Sequence, residues 1–233
     1  MRITLLRHAT LLVELHGLRL LVDPMLSAAG VNPPIENTAN ERRNPLVPLP
    51  DVQLEPLDAI LVSHLHSDHF DDPDGLLDRR LPLFCQPEDV DRLRELGFEP
   101  RPIEDAVEWQ GVTIHRTGAC HGRGAIGEAM APASGFVFDR LYIAGDSVWC
   151  PAVEEAIERH APSVAVVNAG RAEFLEGGPI TMAAEDVAEV VSRVPRVVAV
   201  HMEAINHCGL TRAELAAAVP GALIPADGET LEL

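Results

Sequence analysis

The sequence predicts an α/β protein of two packed sheets with helices on the outside. Three observations carry this reading. Apolar, β-rich segments follow one another at the N-terminus, strand-like and amphipathic helical segments alternate toward the C-terminus, and 47% of the 233 residues are hydrophobic. That is enough apolar material for one sizeable core, and a meander followed by crossover units builds stacked layers. One domain over residues 1–233 is expected, and no repeat of 20 to 50 residues is visible.

The elements follow in order. Residues 3–6, 10–15 and 18–22 read as a β-meander with His16-Gly17 as a tight turn, and Asp23-Pro24 ends the third strand. Residues 27–56 hold Pro33-Pro34, Asn44-Pro45 and Pro48-Leu49-Pro50 without periodicity. A loop this long is usually functional or disordered. Leu46, Val47 and Leu49 could anchor it by packing, so it is read as an active-site lid or substrate-recognition loop. Residues 58–63 form a buried strand ending at His64, and 82–85 a short strand. Residues 87–96 form a helix with Val90, Leu93 and Leu96 on one face and Gly97 as its stop. Strand resumes at 112–116, and 135–139 with 141–145 make a hairpin around Asp139-Arg140. A helix over 151–160 carries Val153, Ala156, Ile157 and His160 at helical spacing. A strand at 164–168, a helix at 183–194, a strand at 197–201 and a helix at 212–219 complete the chain. Its two strand-rich halves divide near Gly111.

Charge narrows the function. Eighteen basic residues against 36 acidic ones give −18, which repels polyanions, and no basic patch offsets it, so nucleic-acid binding is not expected. All the basic residues are Arg; without Lys, Schiff-base chemistry and a Walker-type phosphate loop are excluded. No apolar run approaches the ~18 residues of a membrane helix, and the N-terminal apolar run is broken by Arg7 and His8, unlike a secretory signal. Membrane insertion is therefore not expected, and the expected location is the cytoplasm. Cys85, Cys120, Cys150 and Cys208 lack a CxxC pair and are expected to be reduced thiols. Cys120 and Cys208 each adjoin a His.

The chemistry gathers in His64-Leu65-His66-Ser67-Asp68-His69. In an extended segment leaving a strand, His64, His66 and Asp68 alternate to one side, and His69 follows as the chain turns. One such His would be an ordinary surface residue; three with an Asp in six positions point to a metal. Imidazole and carboxylate suit Zn²⁺, Mn²⁺ or Fe²⁺, zinc being the first expectation. His121, Asp146 and His201 each sit at the C-terminal end of a predicted strand, where open α/β sheets place their sites.

This order of residues resembles the metallo-β-lactamase superfamily, whose hallmark is HxHxDH followed by a later His, a Gly-Asp after a strand and a final His. The resemblance runs from His8-Ala9-Thr10 and Leu21-Val22-Asp23-Pro24 through His201. It is strongest toward the branch holding ascorbate-6-phosphate lactonase and N-acylphosphatidylethanolamine phospholipase D. It implies a four-layer αββα sandwich, two mixed sheets flanked by helices, with a binuclear metal centre in the cleft. His64, His66 and His121 would hold one divalent ion, Asp68, His69 and His201 the second, and Asp146 would bridge them. The implied activity is hydrolysis of a small ester, lactone or phosphoester by metal-bound hydroxide.

Other residues carry two readings each. His207 is either a catalytic pocket residue, such as an acid for the leaving group, or a helix-cap His, and it rivals His201 as last ligand. Asp68 combines ligation with orienting the nucleophile. His8 and Asp23 match family positions near the site, Asp23 as the partner of a ligand His or as a turn residue. Arg42, Arg43 and Arg171 could bind an anionic substrate group or be solvated. His16, His115 and His160 are read as structural. The rival function is a mononuclear iron oxidoreductase of the persulfide dioxygenase kind on the same fold. Diiron relatives carry Glu where this chain has His66 and need a further flavin domain. A small-molecule substrate is expected, and homo-oligomers are compatible with the sequence.

Overall fold

The computed structural model describes every residue from Met1 to Leu233. The first sheet contains β1 (Arg2–Arg7), β2 (Thr10–Leu15), β3 (Leu18–Val22), β4 (Ala59–Val62), β5 (Leu83–Cys85) and β6 (Pro100–Pro102). The second contains β7 (Ala106–Trp109), β8 (Val112–Gly118), β9 (Ser134–Phe138), β10 (Leu141–Ile143), β11 (Val164–Asn168), β12 (Arg196–Val200) and β13 (Ala222–Leu223). The final strand, β14 (Thr230–Glu232), returns to the first sheet and pairs antiparallel with β1, giving two sheets of seven strands. The helices are α1 (Val90–Glu95), α2 (Gly124–Ala129), α3 (Pro151–His160), α4 (Ala184–Val191) and α5 (Arg212–Ala218).

Strand alternation sends residues to two different cores. Leu5, Leu11, Val13 and Leu61 face the second sheet and meet Phe136, Phe138, Ile143 and Val198. Their neighbours Leu6, Leu12, Ile60 and Val62 face outward and are covered by Phe70, Leu77, Leu93 and Phe98. On the far side of the second sheet, Val137, Ala165 and Val197 are covered by Val153 and Ile157 of α3, Val187 and Val190 of α4, and Leu215 of α5. Strands buried on both faces read as continuous apolar runs. The arrangement is the expected sandwich of two mixed sheets with helices outside.

The differences from the sequence reading are local. The 87–96 segment opens with a 3-10 turn at Pro87–Asp89 before α1, and α4 is shorter than 183–194. The strands β6, β7, β13 and β14 were not legible, because they are short, polar or proline-bearing and take their hydrogen bonds from a neighbouring strand, and neither was α2, a six-residue helix holding two glycines. The division between sheets falls between β6 and β7, slightly before Gly111. Residues 27–56 are anchored by packing of Leu49, Val52 and Leu54 on the first sheet's outer core and are strapped down by hydrogen bonds as well. The fully buried Arg7 donates to the carbonyls of Met25 at 2.8 Å, Ser27 at 2.6 Å and Val47 at 3.1 Å.

Phe136 is 1% exposed between the sheets. Phe136→Ala is expected to lower unfolding free energy by about 3–5 kcal/mol, read as a drop in urea midpoint at unchanged slope.

Candidate metal centre

In the first sheet β1 and β3 run in the same direction, each antiparallel to β2, and β4 lies parallel to β3. In the second, β8 and β10 are both antiparallel to β9, while β11 and β12 are parallel to β10. The C-terminal ends of these strands therefore share one edge, and from them project His8, Asp23, His64, His121, Asp146, Asn168 and His201. The two edges are tied by backbone bonds from His201 N to His8 O (2.9 Å) and from Ser134 N to Ser63 O (3.3 Å). His8, Asp23 and His201 adopt positive φ of 57°, 43° and 71°. For residues with a Cβ this costs about 1–3 kcal/mol each, tolerated where surrounding contacts hold the backbone. Two glycines permit the close approach. A Cβ at Gly145 would strike the Ser134 carbonyl, and one at Gly170 would strike the His201 carbonyl.

Asp23 is the organising acceptor. Its Oδ1 takes the Ser63 N–H (2.7 Å), and its Oδ2 takes the Ser63 hydroxyl (2.7 Å) and His69 Nδ1–H (2.8 Å). With its proton given to Asp23, Ser63 Oγ accepts from His64 Nδ1 at 3.0 Å. His121 Nδ1 donates to Ile180 O at 2.9 Å. The Nε2 lone pairs of His64 and His121 are thereby turned inward, 3.0 and 3.3 Å from His66 Nδ1. Three imidazole nitrogens converge on one point.

A second group lies beside the first. His69 Nε2 and His201 Nε2 are 3.2 Å apart, and Asp68 Oδ2 is 3.9 Å from His201 Nε2. His8 Nε2 donates to Asp68 Oδ2 at 3.2 Å, and the His8 ring stacks on His201 with centroids 3.5 Å apart. Donor atoms of His8, Asp68, His69 and His201 fall within 4.8 Å of one another, as do those of His64, His66 and His121. Asp146 stands between the groups. Its Oδ1 is 3.2 Å from His69 Nε2 and 3.3 Å from His201 Nε2, while its Oδ2 is 3.5 Å from His121 Nε2 and 3.9 Å from His64 Nε2. Asn168 Nδ2 donates to Asp146 Oδ1 at 2.7 Å and holds it there.

Burial opposes charge on all these groups, and their partners decide the outcome. Burial, helped by His69, pushes His64 well below the usual imidazole range, and burial does the same to His201 with help from His8. His69 goes the other way: burial would lower it, but Asp146 and Asp23 on either side raise it well above that range. Burial alone would raise Asp68 and Asp146, yet the histidines around them hold both well below the carboxylate range. His64 and His201 are thus neutral and the two carboxylates ionised, the forms that bind a cation, while a cation at His69 must displace a proton.

Above the groups lies a cavity of about 200 Å³ whose walls include Ile35, Met130, Phe174 and Ile180. A larger open groove of about 680 Å³ touches the cluster through His121 alone and carries none of its other donors. His207 lines the smaller cavity, its Nε2 3.8 Å from Asp68 Oδ2. His201, not His207, reaches His69 and Asp146.

The three arginines weighed as substrate binders or as solvated side chains do not line this cavity. Arg42 is exposed, the Arg43 guanidinium donates to the Gly30 and Val31 carbonyls, and Arg171 faces Glu173 at 3.3 Å. Arg43 and Arg171 are engaged within their own loops, and Arg42 is solvated. The expectation of four reduced cysteines is also corrected. Cys120 and Cys150 form a disulfide across 30 residues, with Cα atoms 6.5 Å apart, while Cys85 and Cys208 are free. No local motif announces a pair made by the meeting of the β8 loop with the start of α3. Cys208 Sγ lies 3.7 Å from His201 Nδ1. Sequence reasoning missed Ser63, Asn168, Asn206 and the apolar cavity wall. The hydroxyl beside His64 and the Asn ending an apolar strand were the available signals for the first two.

Removing the Asp23 carboxylate strands three buried donors. In the metal-free protein Asp23→Ala is expected to cost about 3–5 kcal/mol, measured by urea unfolding in the presence of a chelator; a change under about 1 kcal/mol would refute the lock.

Residues 18–202 match the model of the beta-lactamase superfamily domain. The chain is 36% identical to the UPF0173 protein YddR of Bacillus subtilis over 99% of each chain. Among solved structures it is similar to an isothiocyanate hydrolase from Delia radicum gut bacteria, with 35% identity, a TM-score of 0.92 and coverage of 100% of this chain and 99% of that one. It is also similar to a protein of Veillonella parvula described as a possible metal-dependent hydrolase, with 30% identity, a TM-score of 0.94 and the same coverage. Strand order, the HxHxDH segment and these relatives agree: the chain belongs to the metallo-β-lactamase superfamily.

Proposed function

We propose that this metal-dependent hydrolase works with two divalent ions on a small-molecule ester, lactone or phosphoester. The observation carrying the reading is Asp146, whose two carboxylate oxygens face two separate donor groups. The donor chemistry fits. In the first group His64 and His121 have committed their Nδ1 protons elsewhere, so their lone pairs and that of His66 are free for a cation that takes nitrogen. In the second, a cation would replace the proton between His69 and Asp146. We assign His64, His66 and His121 to one ion, Asp68, His69 and His201 to the other, and Asp146 to both, with zinc first and manganese or iron as rivals. When bound, such a pair supplies an activated water and a Lewis acid for the polarised substrate oxygen.

The chain's own groups do the remaining work. Asn168 fixes the Asp146 carboxylate, and Asp23 and Ser63 set the ring orientations of His69 and His64. Asp68, held by His8, faces His207 across the cavity floor. Burial lowers His207, which lines the cavity, so near neutral pH it presents a neutral imidazole that could take a proton from the attacking water and return it to a leaving group. Two donor groups instead of one favour hydrolysis over a mononuclear iron oxygenase. The similarity to an isothiocyanate hydrolase adds the carbon of an N=C=S group to the bonds worth testing.

Metal analysis of the purified protein is expected to give up to two ions per chain. His66→Ala and Asp146→Ala should lower turnover more than about 100-fold with the circular dichroism spectrum unchanged. Full activity in metal-free protein would overturn the reading. The raised His69 is protonated in the metal-free chain at pH 7, so loading must expel that proton. Apparent metal affinity should therefore rise with pH, about tenfold per unit for one proton displaced, and calorimetry in two buffers of different ionisation enthalpy should register its release.

A further inference from the structure

The cavity beside the donor groups is divided by chemistry. Its polar lining is His66, Ser67, Asp68, His121, Asp146 and His207, its apolar lining Ile35, Met130, Phe174 and Ile180, and no Arg lines any part of it. Its volume of about 200 Å³ lies below the ~300 Å³ at which drug-sized pockets begin. The apolar wall is built, not incidental. Ile35 belongs to the 27–56 loop, and Asn206, adjacent to His207 and 4% exposed, fastens that loop. Asn206 Oδ1 accepts from Ile35 N at 2.9 Å and Asn44 Nδ2 at 2.7 Å, and its Nδ2 faces the Ile35 and Asn40 carbonyls at 3.0 and 2.6 Å. The backbone adds Leu46 N to Ala204 O and Leu175 N to Asn37 O, both at 2.7 Å. The second bond ties the loop to the segment carrying Phe174. Ile35 and Phe174 are thus held over the donor groups together.

We infer that this site takes small, uncharged carbon electrophiles bearing a short apolar substituent, and rejects substrates that carry an anionic handle. The inference rests on the two-ion hydrolytic reading and narrows it to esters and lactones over phosphoesters. The chain holds no Lys and none of its Arg lines the cavity, so a substrate anion would meet there only the ions and the histidines. An anionic group on a substituent seated against Ile35, Phe174 and Ile180 would lie unpaired, which the cost of burying a charge opposes.

The test compares phenyl acetate with 4-carboxyphenyl acetate on zinc-loaded protein, and in parallel the binding of phenylacetamide and its 4-carboxy analogue by ligand-observed NMR. The neutral ester is expected to show kcat/KM on the order of 100-fold higher, and only the neutral amide to bind. Ile35→Arg and, separately, Phe174→Arg should each shrink both contrasts at least about tenfold, because they supply the missing cation. Equal handling of the neutral and anionic members by the unaltered protein, or contrasts unmoved by both Arg variants at unchanged zinc content, would overturn the inference. Binding is read without turnover. A zinc-loaded protein that hydrolyses neither ester but keeps the amide contrast therefore supports the selectivity and overturns the hydrolytic reading instead.

Discussion

Asp23 accepts three buried hydrogen bonds, and the arrangement of the whole centre depends on that acceptance. By taking the Ser63 N–H it fixes the backbone where β4 gives way to the histidine segment. By taking the Ser63 hydroxyl it leaves that oxygen free to accept from His64, and by taking His69 Nδ1–H it aims the opposite nitrogen at Asp146. One carboxylate thus sets two ring tautomers belonging to different donor groups. Its own backbone is held at a positive φ by the turn after β3, so part of the folding energy is committed to the site.

The second constraint is electrostatic. Histidines and carboxylates are packed at the seam of two apolar sheets, where isolated charges are not tolerated. They are arranged so that desolvation keeps most imidazoles neutral while the carboxylates stay ionised among them. His69 goes the other way, raised by the two aspartates on either side of it. Such a site is matched to a cation and poorly matched to anything else. The cavity above it continues the division, with polar donors in one part of its lining and hydrocarbon in the rest.

The 27–56 segment connects these features to selectivity. It has almost no regular structure, yet Arg7 grips it near both ends and Asn206 grips its middle. Both grips come from residues next to the centre: Arg7 precedes His8 and Asn206 precedes His207. The loop's position over the cavity and the placement of the polar groups are therefore set by the same short stretches of chain.

The sequence by itself determined the layer architecture, because strands buried on two faces must read as apolar runs and amphipathic helices show their covering face. It also marked His64, His66, Asp68, His69, His121, Asp146 and His201 as a set, since ligand-type residues at strand ends have few other uses. Only the tertiary structure showed which atoms meet, with Asp146 Oδ1 beside His69 and His201 and its Oδ2 beside His121 and His64, because that depends on distances between two sheets. It likewise decided that Arg43 and Arg171 serve their own loops, that Cys120 meets Cys150, and that β14 pairs with β1. The wall formed by Ile35, Phe174 and Ile180 is of the same kind. Isolated apolar residues in loops carry no periodicity, and their role exists only once distant segments are hydrogen-bonded side by side.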